Sequence, residues 1–144
     1  MTLHLRWIDH LSPAYALAVA LRRDLLRKPL GLEFTEAQLA SEATSFHLTA
    51  WEDDVLVGTL LLTPLDEGSI QMRQVAVADR KQGLGIGRLM VAESEDEALG
   101  RGFTHIMLHA RDTAIPFYEK LGYTRIGEEF TEVGVRHQEM EKYL

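Results

Sequence analysis

Cysteine is absent from the chain. Structural disulfides, thiolate metal sites and a cysteinyl acyl intermediate are thereby excluded, and a reducing cytoplasm is the expected setting. No apolar run approaches the ~20 residues that cross a bilayer. The stretch Met1-Thr2-Leu3-His4-Leu5-Arg6 lacks the apolar core of a secretory leader, so no membrane partner is expected. Internal repeats and low-complexity stretches are also missing, and neither a G-x-x-x-x-G-K-S/T loop nor an H-E-x-x-H pair occurs. On a strand, His105 and His109 would stand about 13 Å apart at ~3.3 Å per residue. That is too far to share one ion, and no metal site is expected. Positive charge is scarce as well. The net charge of −7 at pH 7 argues against general nucleic-acid binding. The 144 residues suffice for one core, so a single domain over 1–144 is expected.

The positive charge that is present clusters. Across residues 73–88, Arg73, Arg80, Lys81 and Arg88 are set against Asp79 alone. A basic patch on an acidic chain suits an anionic ligand there and, less directly, a cationic substrate elsewhere. The same stretch contains Val75-Ala76-Val77-Ala78-Asp79-Arg80-Lys81-Gln82-Gly83-Leu84-Gly85-Ile86-Gly87-Arg88. An apolar run meets a basic turn, then three glycines at alternate positions, then a helix-like segment. A strand ending in such a turn aims several backbone N–H groups at one point, and the positive end of the next helix adds to them. Glycine keeps side chains from blocking that approach. The arrangement is a pyrophosphate site. It is not a dinucleotide fingerprint, because the spacing is G-x-G-x-G, position 88 is Arg, and too much chain precedes it.

Gln82-Gly83-Leu84-Gly85-Ile86-Gly87 resembles the Q/R-x-x-G-x-G/A acyl-CoA pyrophosphate loop of the GNAT N-acetyltransferase family. About thirty residues later, Ala114-Ile115-Pro116-Phe117-Tyr118-Glu119-Lys120-Leu121-Gly122-Tyr123 resembles the segment that closes the cofactor site in that family. Glu132, Gly134, His137 and Met140 resemble the tail of several small members. The resemblance covers residues 75–140 and leaves the first half of the chain without a comparable motif.

A coarse reading of periodicity gives β α α β β β α β α β β. A strand at 3–8 precedes a helix that Ser12 caps and Pro13 opens. Leu17, Leu21 and Leu25 mark its buried face, and it should end before Pro29. Thr35 to Gln38 open a second helix, to about 43. Strands follow at 46–51, 55–62 and 69–77, the first two forming a hairpin. A helix over 85–99 turns Ile86, Leu89 and Met90 inward, with Glu93 interrupting that stripe. A strand at 103–108, a short helix at 113–121 and a final strand pair at 122–128 and 135–143 complete the chain. The fold class is α/β, a mixed central sheet with helices on both faces.

The resemblance implies more than the pattern does. In GNAT enzymes the strand before the glycine loop and the strand after its helix splay apart, and acyl-CoA enters the gap. The expected cofactor contacts are Val75, Ala76, Val77, Gln82, Gly83, Leu84, Gly85, Ile86, Gly87, Arg88, Arg111 and Phe117. Acetyl-CoA is the expected cosubstrate. Tyr118 is the candidate general acid toward the departing thiolate, its alternative role being an aromatic filler. Some relatives place a glutamate on the strand before the loop, but here that position is Gln71, which cannot take a proton. A base acting through ordered water, or residues of the C-terminal strands, must then serve, and the resemblance makes Glu132 and His137 the candidates, because the matching tail lies at the acceptor side in relatives. Arg111 replaces an asparagine of many relatives, and would pair with a phosphate or with Asp112. The implied activity is acetyl transfer to a primary amine by direct attack. Two alternatives are a non-catalytic acyl-CoA-binding module and a nucleotide-binding regulator. The acceptor would be read by residues 17–43 and 63–69. Dimers are common in the family, which leaves a homodimer open.

Overall fold

The computed structural model describes residues 2–144. Eight strands form one sheet, namely β1 (Leu3–Ile8), β2 (Phe46–Glu52), β3 (Val55–Pro64), β4 (Ser69–Val77), β5 (His105–Arg111), β6 (Thr124–Arg125), β7 (Phe130–Glu132) and β8 (Val135–Tyr143). Their order is β1-β2-β3-β4-β5-β8-β6, with β7 paired to β8. All neighbours run antiparallel except β4 and β5. The α-helices are α1 (Pro13–Arg22), α2 (Glu36–Ala40), α3 (Ile86–Gly100) and α4 (Ile115–Lys120).

Alternation along the strands separates two faces. Leu60, Leu62, Ile70, Met72, Ile106, Leu108 and Ala110 join Met90, Val91 and Ala98 of α3 and Ile115 and Tyr118 of α4 in the main core. Gln71, Arg73, His109 and Arg111 point to the other face, the one on which α1 packs against β3 and β4. The mixed sheet with helices on both faces is thus as expected.

Local departures have physical causes. The inward stripe of α1 is Tyr15, Ala18 and Arg22, whereas Leu17 is 53 % exposed. Arg22 is tolerated inside because it forms a two-bond pair with Glu42 at 2.8 and 2.6 Å. The helical path does not stop before Pro29. It widens into a π-turn over Arg23–Arg27 and ends in a 3₁₀ turn, Lys28–Leu30, that takes Pro29 near its start, where no N–H is needed. On α3, Leu89 faces outward and Val91 and Ser94 inward. Glu93, the interruption, accepts the Trp7 indole N–H at 2.9 Å. The strand expected at 103–108 lies at His105–Arg111, and the helix expected at 113–121 starts as a 3₁₀ turn before α4. The penultimate strand shrinks to Thr124–Arg125, and β7, not anticipated, forms a tight hairpin with β8.

Candidate active site

The site is organised by an interrupted pairing. β4 and β5 lie side by side only from Ser69↔His105 to Met72↔Leu108. Beyond Met72 the two strands part. β4 carries a bulge there, since the register with β3 slips between Thr59 and Leu61, and Gln74 takes a left-handed φ of 55°. Ala78 N–H donates to Val57 O on β3 at 2.8 Å, so by alternation the Val77 N–H points into the gap.

At the far end of β4 the glycine loop turns the chain. Gln82 Nε2 donates to Val77 O at 3.0 Å and to Asp79 Oδ1 at 3.3 Å, which closes the turn. Gly83 and Gly85 adopt φ of 79° and 88°, a region that strains other residues. Among the described residues no side chain caps the start of α3, so its first-turn amides keep their donor capacity. A Cβ on Gly87 would lie 3.2 Å from the Phe117 ring, so glycine is what lets α3 and α4 approach. The Ala76 and Ile86 side chains are buried in the core, and only their backbone is available to a ligand. Leu84 and Arg88 are exposed. Lys81 pairs with Glu52 at 2.6 Å, which removes one charge from the basic patch.

Between the parted strands opens a cavity of about 550 Å³. Five of the expected residues line it together: Val75, Arg111, Tyr118, Glu132 and His137. Ala76, Val77, Gln82–Arg88 and Phe117 lie outside its lining, toward the loop. Tyr118 is 6 % exposed, and its hydroxyl has no hydrogen-bond partner among the described residues. Burial pushes its pKa above the usual phenol value, so the phenol keeps its proton. The His137 ring is buried. Its Nδ1 donates to Val135 O at 2.8 Å, and its Nε2 stands 3.7 Å from Glu132 Oε2. That fixes the tautomer and leaves Nε2 as the basic atom in the neutral ring. The other Glu132 oxygen meets His109 Nδ1 at 3.1 Å. The Phe130 ring contacts both imidazoles, edge-on to His109 at 5.0 Å and stacked on His137 at 5.9 Å.

Arg111 Nη2 donates to Leu26 O at 3.0 Å. It does not pair with Asp112, whose carboxylate instead accepts the Thr113 N–H at 2.8 Å. Two further lining residues, Arg27 and Arg73, were not singled out from sequence as site residues. The alternation Gln71, Arg73 on β4 would have placed Arg73 on this face. Arg27 sits in the π-turn, which no periodicity announces. Among the described residues no group of acidic or histidine side chains is arranged to hold a metal ion.

A sheet split at two parallel strands, with a glycine loop at one end and titratable groups in the gap, defines an acyl-CoA-dependent transferase fold. The acetyltransferase (GNAT) domain family matches residues 28–144, and the chain belongs to that family. The chain is 28% identical over 102 residues to Bacillus subtilis YjcF, described as an uncharacterized N-acetyltransferase, covering 70% of this chain and 72% of that one. The crystal structure of a Lactobacillus plantarum protein described as an N-acetyltransferase superposes with TM-score 0.87 at 26% identity, covering 100% and 99% of the two chains. A Bacillus subtilis acetyltransferase solved in complex with CoA shares the fold, with TM-score 0.74 and 17% identity over 99% of each chain. Acetyl-CoA is the cosubstrate of the family.

Proposed function

We propose that the chain transfers the acetyl group of acetyl-CoA to a primary amine by direct attack within a ternary complex. One observation carries the reading: Tyr118, His137 and Glu132 face a single cavity where β4 and β5 part. The donor-rich start of α3 and the left-handed, side-chain-free turns at Gly83 and Gly85 suit the pyrophosphate, and the Val75–Val77 backbone suits an extended pantetheine arm. Acetyl-CoA, when bound there, supplies an activated thioester. His137 Nε2, backed by Glu132, takes the proton of the incoming ammonium, and Tyr118 holds a proton for the departing sulfur. Fixing both reactants in one cleft supplies much of the rate. The absence of cysteine fits both the lack of a covalent intermediate and a reducing, cytoplasmic setting.

The test is thiol release. Acetyl-CoA and a panel of amines are mixed with the protein, and free CoA is followed with a thiol-reactive dye. Amine-dependent release is expected, with no background from the cysteine-free chain. Binding of acetyl-CoA without release on any amine would favour a non-catalytic acyl-CoA-binding module.

A further inference from the structure

Three guanidinium groups line the cavity on the α1 face: Arg27 from the π-turn, Arg73 from β4 and Arg111 from β5. Arg27 Nη1 and Arg111 Nη2 share one acceptor, the Leu26 carbonyl, at 3.3 and 3.0 Å. Among the described residues Arg73 donates only to the Thr63 hydroxyl, at 3.5 Å. None of the three forms an ion pair among the described residues, although Arg22 behind them is neutralised by Glu42. Burial, and then Arg111, Arg22 and Arg73, depress the Arg27 pKa, and Glu132 alone opposes them. On a chain of net charge −7, three unpaired cations gathered in one cleft repel one another at a cost that a bound anion would relieve.

The cosubstrate's phosphates do not explain them. Arg73 precedes Val77 by four positions, about 13 Å of strand at ~3.3 Å per residue, and the glycine loop lies beyond Val77. The cleft is also polarised. Arg111 stands directly opposite His137 in the β5–β8 register, so cross-strand neighbours put a cation beside the candidate base. A ligand with an amine at one end and an anion at the other fits both.

We propose that the acceptor is an amine that also carries an anionic group, a carboxylate or a phosphate, which Arg27, Arg73 and Arg111 receive. This rests on the acetyl-transfer reading, and deepens it by naming the acceptor class. The experiment uses matched pairs: α-amino acids against the amines left by removing their carboxylate, and phosphoethanolamine against ethanolamine. In the thiol-release assay the anionic member should be favoured in kcat/KM by about tenfold or more, the scale of one charge-assisted hydrogen bond. The Arg73→Gln variant should shrink that preference mainly through KM. Equal rates for both members, or faster plain amines, would overturn the inference and leave acetyl transfer standing. A preference for succinyl-CoA over acetyl-CoA with plain amines would place the anion on the acyl group and overturn it too. Calorimetric titration of the same pairs onto CoA-loaded protein decides the matter without turnover. Tighter binding of the anionic members supports the inference even if no transfer is seen. No difference, including no binding of either, defeats it.

Discussion

At the residue scale, Tyr118 is held between the rings of Phe117 and Tyr123, at 5.0 and 5.8 Å. Its burial has opposite consequences for packing and for chemistry. The ring contributes to the main core, yet the hydroxyl has no hydrogen-bond partner among the described residues while it lines the cavity. A phenol whose pKa is raised by burial remains protonated across the working range, so its proton is in place when the thiolate departs, while the same shift makes it a weaker acid. Tyr118→Phe keeps the ring and removes that proton. Turnover should fall roughly 10²-fold or more with acetyl-CoA affinity little changed, as measured by steady-state kinetics beside direct titration of the cosubstrate. Because the phenol stays protonated, the alkaline limb of the wild-type profile below pH about 10 belongs to other groups, and should survive in the variant. Unaltered turnover would remove Tyr118 from the mechanism and leave it a core aromatic.

At the element scale, α1 is tied to the rest of the fold by a buried polar network. Glu42 receives both Arg22 nitrogens and the Tyr15 hydroxyl, the last at 2.7 Å, and its backbone carbonyl lies 3.0 Å from His47 Nε2. Burial works against the charge on Glu42, but the bonds and charge of Arg22, with the bond from Tyr15, outweigh it and lower its pKa below 4.5. The stability this adds is complete above the unfolded value and disappears as pH falls through the folded one. His47, whose pKa burial depresses below 6.5, adds a loss that starts at higher pH, because folding favours its neutral form. Glu42→Gln leaves Arg22 buried without its counter-charge. Denaturant unfolding near pH 7 should show a loss of about 3 kcal/mol or more, and the variant should lack the steep decline below pH about 4.5 while keeping the His47 slope. The same network explains where sequence reading stopped. The glycine loop and the Phe117-Tyr118 segment were legible because their chemistry lies within one short stretch. The buried face of α1 was misread because leucine spacing pointed to Leu17, while the chain buries an arginine neutralised twenty positions away. Glu93 looked out of place for a like reason, since its partner Trp7 is 86 residues distant. Arg27, Arg73 and Arg111 converge only through the crossing of three separate elements, so their cluster is a property of the fold.

At the scale of the whole molecule, one incomplete strand pairing makes the cleft. A sheet of eight strands would ordinarily satisfy the inner backbone groups of β4 on both sides, and here it does so on the β3 side only beyond Met72. The cost of leaving donors such as the Val77 N–H without a strand partner is bearable because the gap admits solvent or an extended ligand. The bulge at Gln74 keeps that gap open by bending β4 away from β5, so the opening is built into the backbone and does not depend on a mobile lid. Hydrogen exchange separates this picture from a cleft that forms only when ligand binds. Without ligand, the Val77 amide should exchange faster than that of Ala78, which is bonded to β3. Added acetyl-CoA should slow Val77, and Val75 beside it, while amides of β2 and β3 stay as they were. Residue-resolved exchange by NMR makes the comparison. Protection of Val77 equal to that of Ala78 in the free protein would mean that β4 and β5 close on each other without ligand, and that the split sheet is imposed by binding.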